Sequence, residues 1–229
     1  TELANSFEDS SGSGGRHVVT ANGDAHTDTA IKKIGTASAQ FDGNGDYLSI
    51  PDSSDWDITG DFTVEGWVYG DFSTAGYRPF ISHGGVGVAS FDLAGWAIYW
   101  NTSSTRWEIF PGTGGTGSLV AAVTMNNDTW YHIAFVYDHG ATTGHFYVDG
   151  TEIGSGSSET FAGVTHELRI GAACDSTSSP YMFDGYMDEI RISNSTRYTA
   201  NFTPSTTAFT SDANTMLLLH CDGSNDGTS

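Results

Sequence analysis

The sequence predicts an all-β protein, an antiparallel sandwich of two sheets, and three observations support this fold class. Short runs of alternating apolar and polar residues recur along the chain, each bounded by Gly, Asn, Asp, Ser or Pro. They recur roughly every ten residues, and no helical periodicity separates them. Several runs carry large apolar or aromatic side chains on both faces, which is typical of strands in two stacked sheets.

The individual strands follow from this alternation. In the run 62–69, Phe62, Val64 and Val68 share one face. Asp149-Gly150 between two runs favours a type I′ hairpin turn. The predicted strands in chain order are 62–69, 95–100, 106–110, 119–125, 130–137, 145–149, 151–153, 167–171, 185–193 and 216–221. The most linker-like stretch, 112–118, lies between two of them, so we expect one domain over residues 1–229.

The charge of the chain excludes two classes of partner. Twenty-eight Asp and Glu stand against eight Lys and Arg, a net charge of −20. Such a field repels phosphate backbones and anionic lipid surfaces, so we expect no nucleic-acid binding and no membrane insertion. No apolar run approaches the roughly 18 residues of a membrane-spanning helix.

The two cysteines, Cys174 and Cys221, lie far apart and form no CxxC motif. This spacing disfavours a thiolate metal site. A disulfide and two separate buried thiols both remain open.

Five short stretches occur in a fixed order: AQFDGNGDYLSIP at 39–51, FTVEGWV at 62–68, WYHIA at 130–134, FYVDG at 146–150 and FDGYMDEIRI at 183–192. Their order and spacing, over about residues 35–200, resemble the laminin-G-like domains of the concanavalin A-type jelly-roll family. The resemblance implies two antiparallel sheets in a secreted protein, an adhesin, or a phage tail or capsid-surface protein. It also implies binding or scaffolding, often with a structural calcium ion.

The chain departs from the family pattern at its ends. The first-strand pattern "LLLHFDG" is missing before FEDSSG at 7–12, and LLLHCDGS occurs at 217–224 instead. We therefore expect residues 214–229 to supply the first strand, within this chain or by swapping into a neighbour. Leu217 and Leu219 would fill the vacant position, and Asp222 would arrive beside Asp9.

The superfamily includes glucanases, which place two carboxylates at one glycosidic bond through a Glu-x-Asp-x-x-Glu strand. That spacing is absent here, and adjacent residues such as Asp188 and Glu189 point to opposite faces of a strand. HExxH, GxSxG and phosphate-loop motifs are also absent. We expect no enzyme activity and no catalytic residue.

A calcium ion takes about six to eight oxygen ligands. We predict Asp9, Asp188 and Asp222 as its carboxylates, since Asp9 opens a glycine-rich loop and Asp188 lies in an apolar strand. The alternative is that Asp9 forms an Asx turn and Asp188 pairs with Arg191 or Arg16. DGNGD at 42–46 is interpreted as a tight turn rather than a calcium loop.

Carbohydrate binding needs exposed aromatic faces beside polar side chains. Trp100 and Trp107 flank a predicted hairpin that also carries Asn101 and Arg106, and these four residues are the candidate glycan ligands. The alternative is that the aromatic residues pack between the sheets.

Together these observations predict a non-enzymatic, calcium-stabilised module of an extracellular or virion-surface protein, with glycan as its candidate partner. The rival hypothesis is a structural spacer or decoration domain that contacts neighbouring domains of a tandem array or virion protein and binds no small ligand. A glycoside hydrolase is the third hypothesis.

Overall fold

The computed structural model describes residues 7–12, 16–84, 95–111, 119–157, 161, 163–173 and 181–223. These residues form a short 3₁₀ turn, Ser54–Trp56, and fifteen strands: β1 Thr20–Asn22, β2 His26–Asp28, β3 Ser38–Asp42, β4 Tyr47–Ile50, β5 Phe62–Gly70, β6 Tyr77–His83, β7 Trp96–Asn101, β8 Arg106–Pro111, β9 Leu119–Ala122, β10 Tyr131–Asp138, β11 Thr143–Val148, β12 Thr151–Ser157, β13 Leu168–Ile170, β14 Asp184–Ser193 and β15 Thr215–Leu219. The predicted all-β fold class is confirmed. Among the described residues, no helix has the length and apolar character needed to span a membrane.

The strands form two antiparallel sheets. The seven-stranded sheet has the order β1-β4-β13-β6-β7-β8-β9. The eight-stranded sheet has the order β12-β11-β10-β5-β14-β3-β2, with β15 paired to β14. A continuous apolar cluster fills the space between the two sheets and includes Leu48, Val64, Trp100, Phe135 and Ile192. The arrangement is a concanavalin A-type sandwich.

Strand β14 organises the eight-stranded sheet. β5 occupies one of its edges along most of its length. The other edge is shared, because β3 pairs with residues 184–187 and β15 pairs with residues 190–193. Between the segment that pairs with β3 and the segment that pairs with β15, the register of β14 against β5 shifts. Glu189 lies at this shift and has a positive φ of 51°. This bulge brings the start of β3 and the end of β15 to one point.

Strand β15 is buried along its whole length, and Leu217 and Leu219 are fully covered. Its second edge meets the N-terminal segment, where Asp9 forms a bridge with Leu219. The apolar C-terminal segment therefore lies inside the sandwich of this chain, between residues 9–10 and β14.

Strand β6 is absent from the sequence-based prediction, because Arg78 and Pro79 interrupt its apolar pattern. A proline cannot donate a ladder hydrogen bond and is tolerated at a bulge. The register with β7 shifts between Pro79 and Ile81, which accommodates the proline. The Asp149-Gly150 hairpin is as predicted, with φ of 49° and 73° at the two turn residues.

Candidate functional site

A polar and aromatic cluster lies on the outer face of the seven-stranded sheet, where β6, β7 and β8 are neighbours. We call it the Glu108 cluster; its members are Tyr77, Tyr99, Asn101, Arg106, Glu108, Phe110 and Tyr181. Tyr99, Phe110 and Tyr77 form an apolar cluster separate from the core between the sheets. Side chains from neighbouring strands meet on this face. In the pairing of β7 with β8, Glu108 lies opposite Tyr99, and Arg106 lies opposite Asn101.

Glu108 is the polar centre of the cluster and is only 3% exposed. Its Oε2 accepts a hydrogen bond from the Tyr99 hydroxyl at 2.6 Å. Its Oε1 accepts from Asn101 Nδ2 at 3.0 Å and from Arg106 Nε at 2.5 Å. Burial and the neighbouring Glu108 carboxylate raise the pKa of Tyr99, so its hydroxyl stays protonated and remains a donor. The Glu108 carboxylate thus fixes three side chains.

The aromatic part of the cluster is a chain of ring contacts. Tyr99 stacks on Phe110 with ring centroids 5.1 Å apart, and its edge meets Tyr77 at 5.2 Å. Tyr77 stacks on Tyr181 at 5.4 Å. Tyr77 and Tyr181 are half-buried, and the Arg106 side chain is 37% exposed. These three side chains are the part of the cluster that a ligand can reach.

The prediction that Trp100 and Trp107 offer exposed rings is wrong. Both point into the core, with exposures of 1% and 0%. Trp100 donates its indole N–H to the carbonyl of Phe72 at 3.0 Å, and Trp107 stacks on Phe146. They are buried because side chains alternate along a strand.

The same alternation could have identified the residues that the sequence analysis missed. Asn101 is polar and Trp100 is apolar, so Tyr99 must share the face of Asn101. On β8, Glu108 and Phe110 share the face of Arg106 in the same way. Asn101 and Arg106 are thus brought together at the cluster, with different aromatic partners from those predicted.

A second site of interest lies at the bulge in β14, where two predicted calcium ligands contact the same loop. Asp188 is fully buried, and its Oδ2 accepts backbone hydrogen bonds from Lys33 and Ile34, each at 2.9 Å. Its Oδ1 has no hydrogen-bond partner among the described residues. Asp222 binds the same loop through Thr36 and Ala37.

The electrostatics of this junction are unfavourable for an ionised Asp188. Burial, followed by the charges of Glu189 and Asp222, raises the pKa of Asp188 to about 7. Glu189 is also buried, and it accepts from the backbone of Phe209 and pairs with His220 at 2.7 Å. The alternative pairing of Asp188 with an arginine is not formed with Arg191, whose guanidinium binds Glu65.

Asp9 lies in a different environment. Its two oxygens accept from Ser11, His17 and the backbone of Leu218 at distances of 2.9–3.1 Å. Burial alone would raise its pKa, but these hydrogen bonds, led by His17, hold the pKa below its usual value. The expected meeting of Asp222 with the Asp9 segment is therefore wrong, since Asp222 binds Thr36 and Ala37 instead.

The 42–46 stretch forms the predicted tight turn, with φ of 73° at Gly43 and 97° at Gly45. Asp46 is buried beneath it and accepts from the backbone of Asp24 and Asp42. Carboxylate oxygens of Asp24, Asp42 and Asp46 lie within 4.8 Å of one another. Burial, with the Asp24 and Asp42 carboxylates nearby, raises the pKa of Asp46 to about 6.

Cys221 is buried and forms no disulfide with any described residue, and burial raises the pKa of its thiol. Cys174 lies outside the described residues, so the pairing of the two cysteines stays open.

A laminin G family model, described as the concanavalin A-like lectin/glucanase superfamily, matches residues 42–201. The chain belongs to this family. No curated protein sequence matches it.

Solved structures with the same fold include binding domains and an enzyme. The binding domain of botulinum neurotoxin DC, in complex with SialylT, has a TM-score of 0.59 at 9% identity, over 81% of this chain and 44% of that one. The binding domain of Paraclostridial Mosquitocidal Protein 1 has a TM-score of 0.58 at 12% identity, over 84% and 49%. A sialidase of Trypanosoma rangeli has a TM-score of 0.51 at 16% identity, over 70% and 26%. The chain thus spans about half or less of each of these proteins, and the likeness shows the fold.

Proposed function

We propose that the chain is an extracellular, non-enzymatic carbohydrate-binding module, with the Glu108 cluster as its sugar site. The observation that carries this proposal is the stacked pair of half-buried tyrosines, Tyr77 and Tyr181, in the same cluster as the partly exposed Arg106. Sugar rings stack their C–H groups on aromatic faces and exchange hydrogen bonds with polar side chains through their hydroxyls. Glu108 preorganises the polar part of the site, which reduces the cost of ordering it on binding.

The make-up of the cluster favours binding over hydrolysis. Glycoside hydrolysis ordinarily requires two carboxylates, one on each side of the scissile bond. The cluster contains one, Glu108, and its oxygens already bind Tyr99, Asn101 and Arg106. The toxin binding domains with this fold are consistent with a binding role.

The first prediction concerns this site. A glycan array should give hits for the wild-type chain, and Tyr77→Ala and Arg106→Ala should each weaken the best hit about ten-fold, as expected for loss of one stacking or charged contact. Tyr47→Ala is the matched control. Tyr47 is a half-buried tyrosine that contacts Arg169, and it lies on β4, two strands away from β6 in the same sheet. If the wild-type chain binds glycans and both cluster variants bind them equally well, the sugar site lies outside the Glu108 cluster. An array without hits would favour the structural-spacer hypothesis.

The same module binds calcium at the β14 junction in our proposal. Two observations support an ion there: Asp188 has a buried carboxylate oxygen with no hydrogen-bond partner among the described residues, and the charge of Asp222 acts on Asp188. A buried carboxylate oxygen without a partner is costly, and coordination of a hard cation such as calcium is one way to offset that cost. A bound calcium would neutralise the two carboxylates and tie the 33–37 loop to the end of β15. Asp9 is not part of this site.

The second prediction tests the ion. Calcium at a hundred times its Kd should stabilise the fold by about 2.7 kcal/mol, which raises the Tm by several degrees, and EDTA should reverse the shift. Asp188→Asn should abolish the calcium response in differential scanning calorimetry.

Asp24→Asn is the matched control, because it alters the other acidic group while leaving the junction intact. This variant should keep the full calcium response. Loss of the response in Asp24→Asn but not in Asp188→Asn would assign the ion to the 24/42/46 group. A metal-free protein with no response to calcium would refute the cofactor proposal.

A further inference from the structure

A row of side chains crosses the outer face of the eight-stranded sheet, on the opposite side of the molecule from the Glu108 cluster. Strand pairing places Tyr69 opposite Tyr186, Tyr186 opposite Gln40, and Gln40 opposite His26. Trp130 extends the row, with its ring 5.5 Å from that of Tyr69. We call Trp130, Tyr69, Tyr186, Gln40 and His26 the aromatic row. Since neighbouring strands are about 4.8 Å apart, the row is about 19 Å long.

The aromatic row lies at the boundary between the buried part and the solvent-accessible part of this sheet face. Further along the same strands the outer face is buried: Tyr198 reaches Glu65, and Lys33 lies over the ring of Trp67. On β5 the burial changes from Glu65 and Trp67, both buried, to Tyr69, which is half-buried.

The same change occurs on the two neighbouring strands. On β14 it runs from the buried Asp188 to the half-buried Tyr186, and at β10 from the buried His132 to the half-buried Trp130. Three large aromatic side chains thus stand at the position where the face becomes accessible to solvent.

The rings contact one another along the row, with interplanar angles of 49° for Trp130 and Tyr69 and 76° for Tyr69 and Tyr186. The Tyr69 ring lies 5.8 Å from that of Tyr186 in an edge-on contact, as well as near Trp130. Cross-strand aromatic pairs also stabilise sheets, so the contacts alone do not require a ligand. The polar end of the row, formed by Gln40 and His26, adds hydrogen-bonding groups in line with the rings.

The charges around the row restrict what can bind. Asp128 acts electrostatically on Tyr69, and Asp28 and Asp184 act on Tyr186. These carboxylates can accept hydrogen bonds from hydroxyl groups and repel carboxylate or sulfate groups. The net charge of −20 adds to that repulsion.

We propose that the aromatic row is a second binding face, which takes an extended, uncharged polysaccharide chain across the strands. Successive sugar rings pack against the faces or edges of Trp130, Tyr69 and Tyr186, and their hydroxyls bond to Gln40, His26 and the flanking carboxylates. This proposal does not depend on the Glu108 cluster, because the two faces lie on different sheets.

Trp130 provides a direct readout of occupancy. The chain has six tryptophans, and the other five are at most 5% exposed. Acrylamide should therefore quench mainly Trp130 fluorescence. Soluble uncharged chains such as β-1,4-glucan, β-1,3-glucan, xylan and mannan are the probes, with polygalacturonate and polysialic acid as anionic comparators. At least one uncharged chain should shield Trp130 from quenching, and the anionic chains should not.

Variants separate this face from the first one. Tyr69→Ala and Tyr186→Ala should each weaken polysaccharide binding about ten-fold in calorimetric titration, whereas Tyr69→Phe, which keeps the ring, should bind nearly as the wild type. Tyr47→Ala should leave this binding unchanged, because Tyr47 belongs neither to the aromatic row nor to the Glu108 cluster.

The proposal would be overturned by no shielding of Trp130 by any uncharged chain, by equal shielding by the anionic chains, or by wild-type affinity in folded row variants. If the alanine variants do not fold, the quenching assay on the wild type still decides. If Tyr77→Ala loses glycan binding while the row variants keep it, the Glu108 cluster is the glycan site and the second face is refuted. The reverse pattern would refute the Glu108 site alone.

Discussion

Asp9 links three parts of the chain through one carboxylate. It is 1% exposed and accepts five hydrogen bonds, from Ser11, His17 and Leu218. The Leu218 bond joins the N-terminal segment to β15, and His17 continues the contact to Asp55 at 3.2 Å and to the ring of Trp56. A buried carboxylate with this many donors remains ionised and fixes the backbone around it.

A further prediction is a pH dependence of stability that originates at His17. The hydrogen bond to Asp9, opposed by burial and aided by the charges of Asp9 and Asp55, raises the pKa of His17. A group whose pKa is raised on folding stabilises the protein fully below its unfolded pKa of about 6.5. That contribution is lost as the pH rises through the folded pKa. The free energy of unfolding should therefore fall as the pH increases from about 6 upwards, measured by urea denaturation in EDTA.

His17→Gln should remove part of this slope, because glutamine does not titrate. His220 has its pKa raised by Glu189 and contributes with the same sign, so His220→Gln should remove a separate part. His139, an exposed residue in a turn, is the control: His139→Gln should leave the slope intact. An identical slope in wild type and His17→Gln would show that the Asp9–His17 pair does not couple proton binding to folding.

At the scale of strands, alternation predicts most of the fold and fails where the pattern is interrupted. Runs such as 62–69 and 130–137 were recognisable because one face is continuously apolar. Strand β6 was missed because a bulge accommodates Pro79. The short strands β1 and β2 have three residues each, too few for a period of two to be seen.

The sites were less predictable than the strands, for a physical reason. Strand parity would have placed Tyr99 beside Asn101, but stacking of Tyr181 on Tyr77 joins segments far apart in sequence. The contact of Asp222 with Thr36 likewise depends on β3 and β15 sharing one edge of β14. Local sequence encodes the face of a side chain, whereas the pairing order of the strands decides which side chains meet.

At the scale of the whole molecule, the dominant feature is an unbalanced negative charge. Several of the few cations are already paired: Arg191 with Glu65, Arg197 with Asp212, and Arg169 with Glu167. Most of the remaining acidic groups therefore repel one another across the surface. Self-repulsion of this kind keeps a protein soluble and destabilises its compact state. It also disfavours anionic ligands on either proposed binding face.

The last prediction follows from this repulsion. Salt shortens the Debye length from about 30 Å at 0.01 M to about 8 Å at 0.15 M, so repulsion between distant carboxylates is screened while close pairs such as Arg191–Glu65 are affected less. The Tm in EDTA should rise by a few degrees over this range of sodium chloride and then level off. Choline chloride at equal ionic strength should give the same curve, because the effect is screening rather than sodium binding. A Tm that falls with salt would mean that attractive pairs outweigh the net repulsion, and the charge of −20 would then be arranged to stabilise the fold.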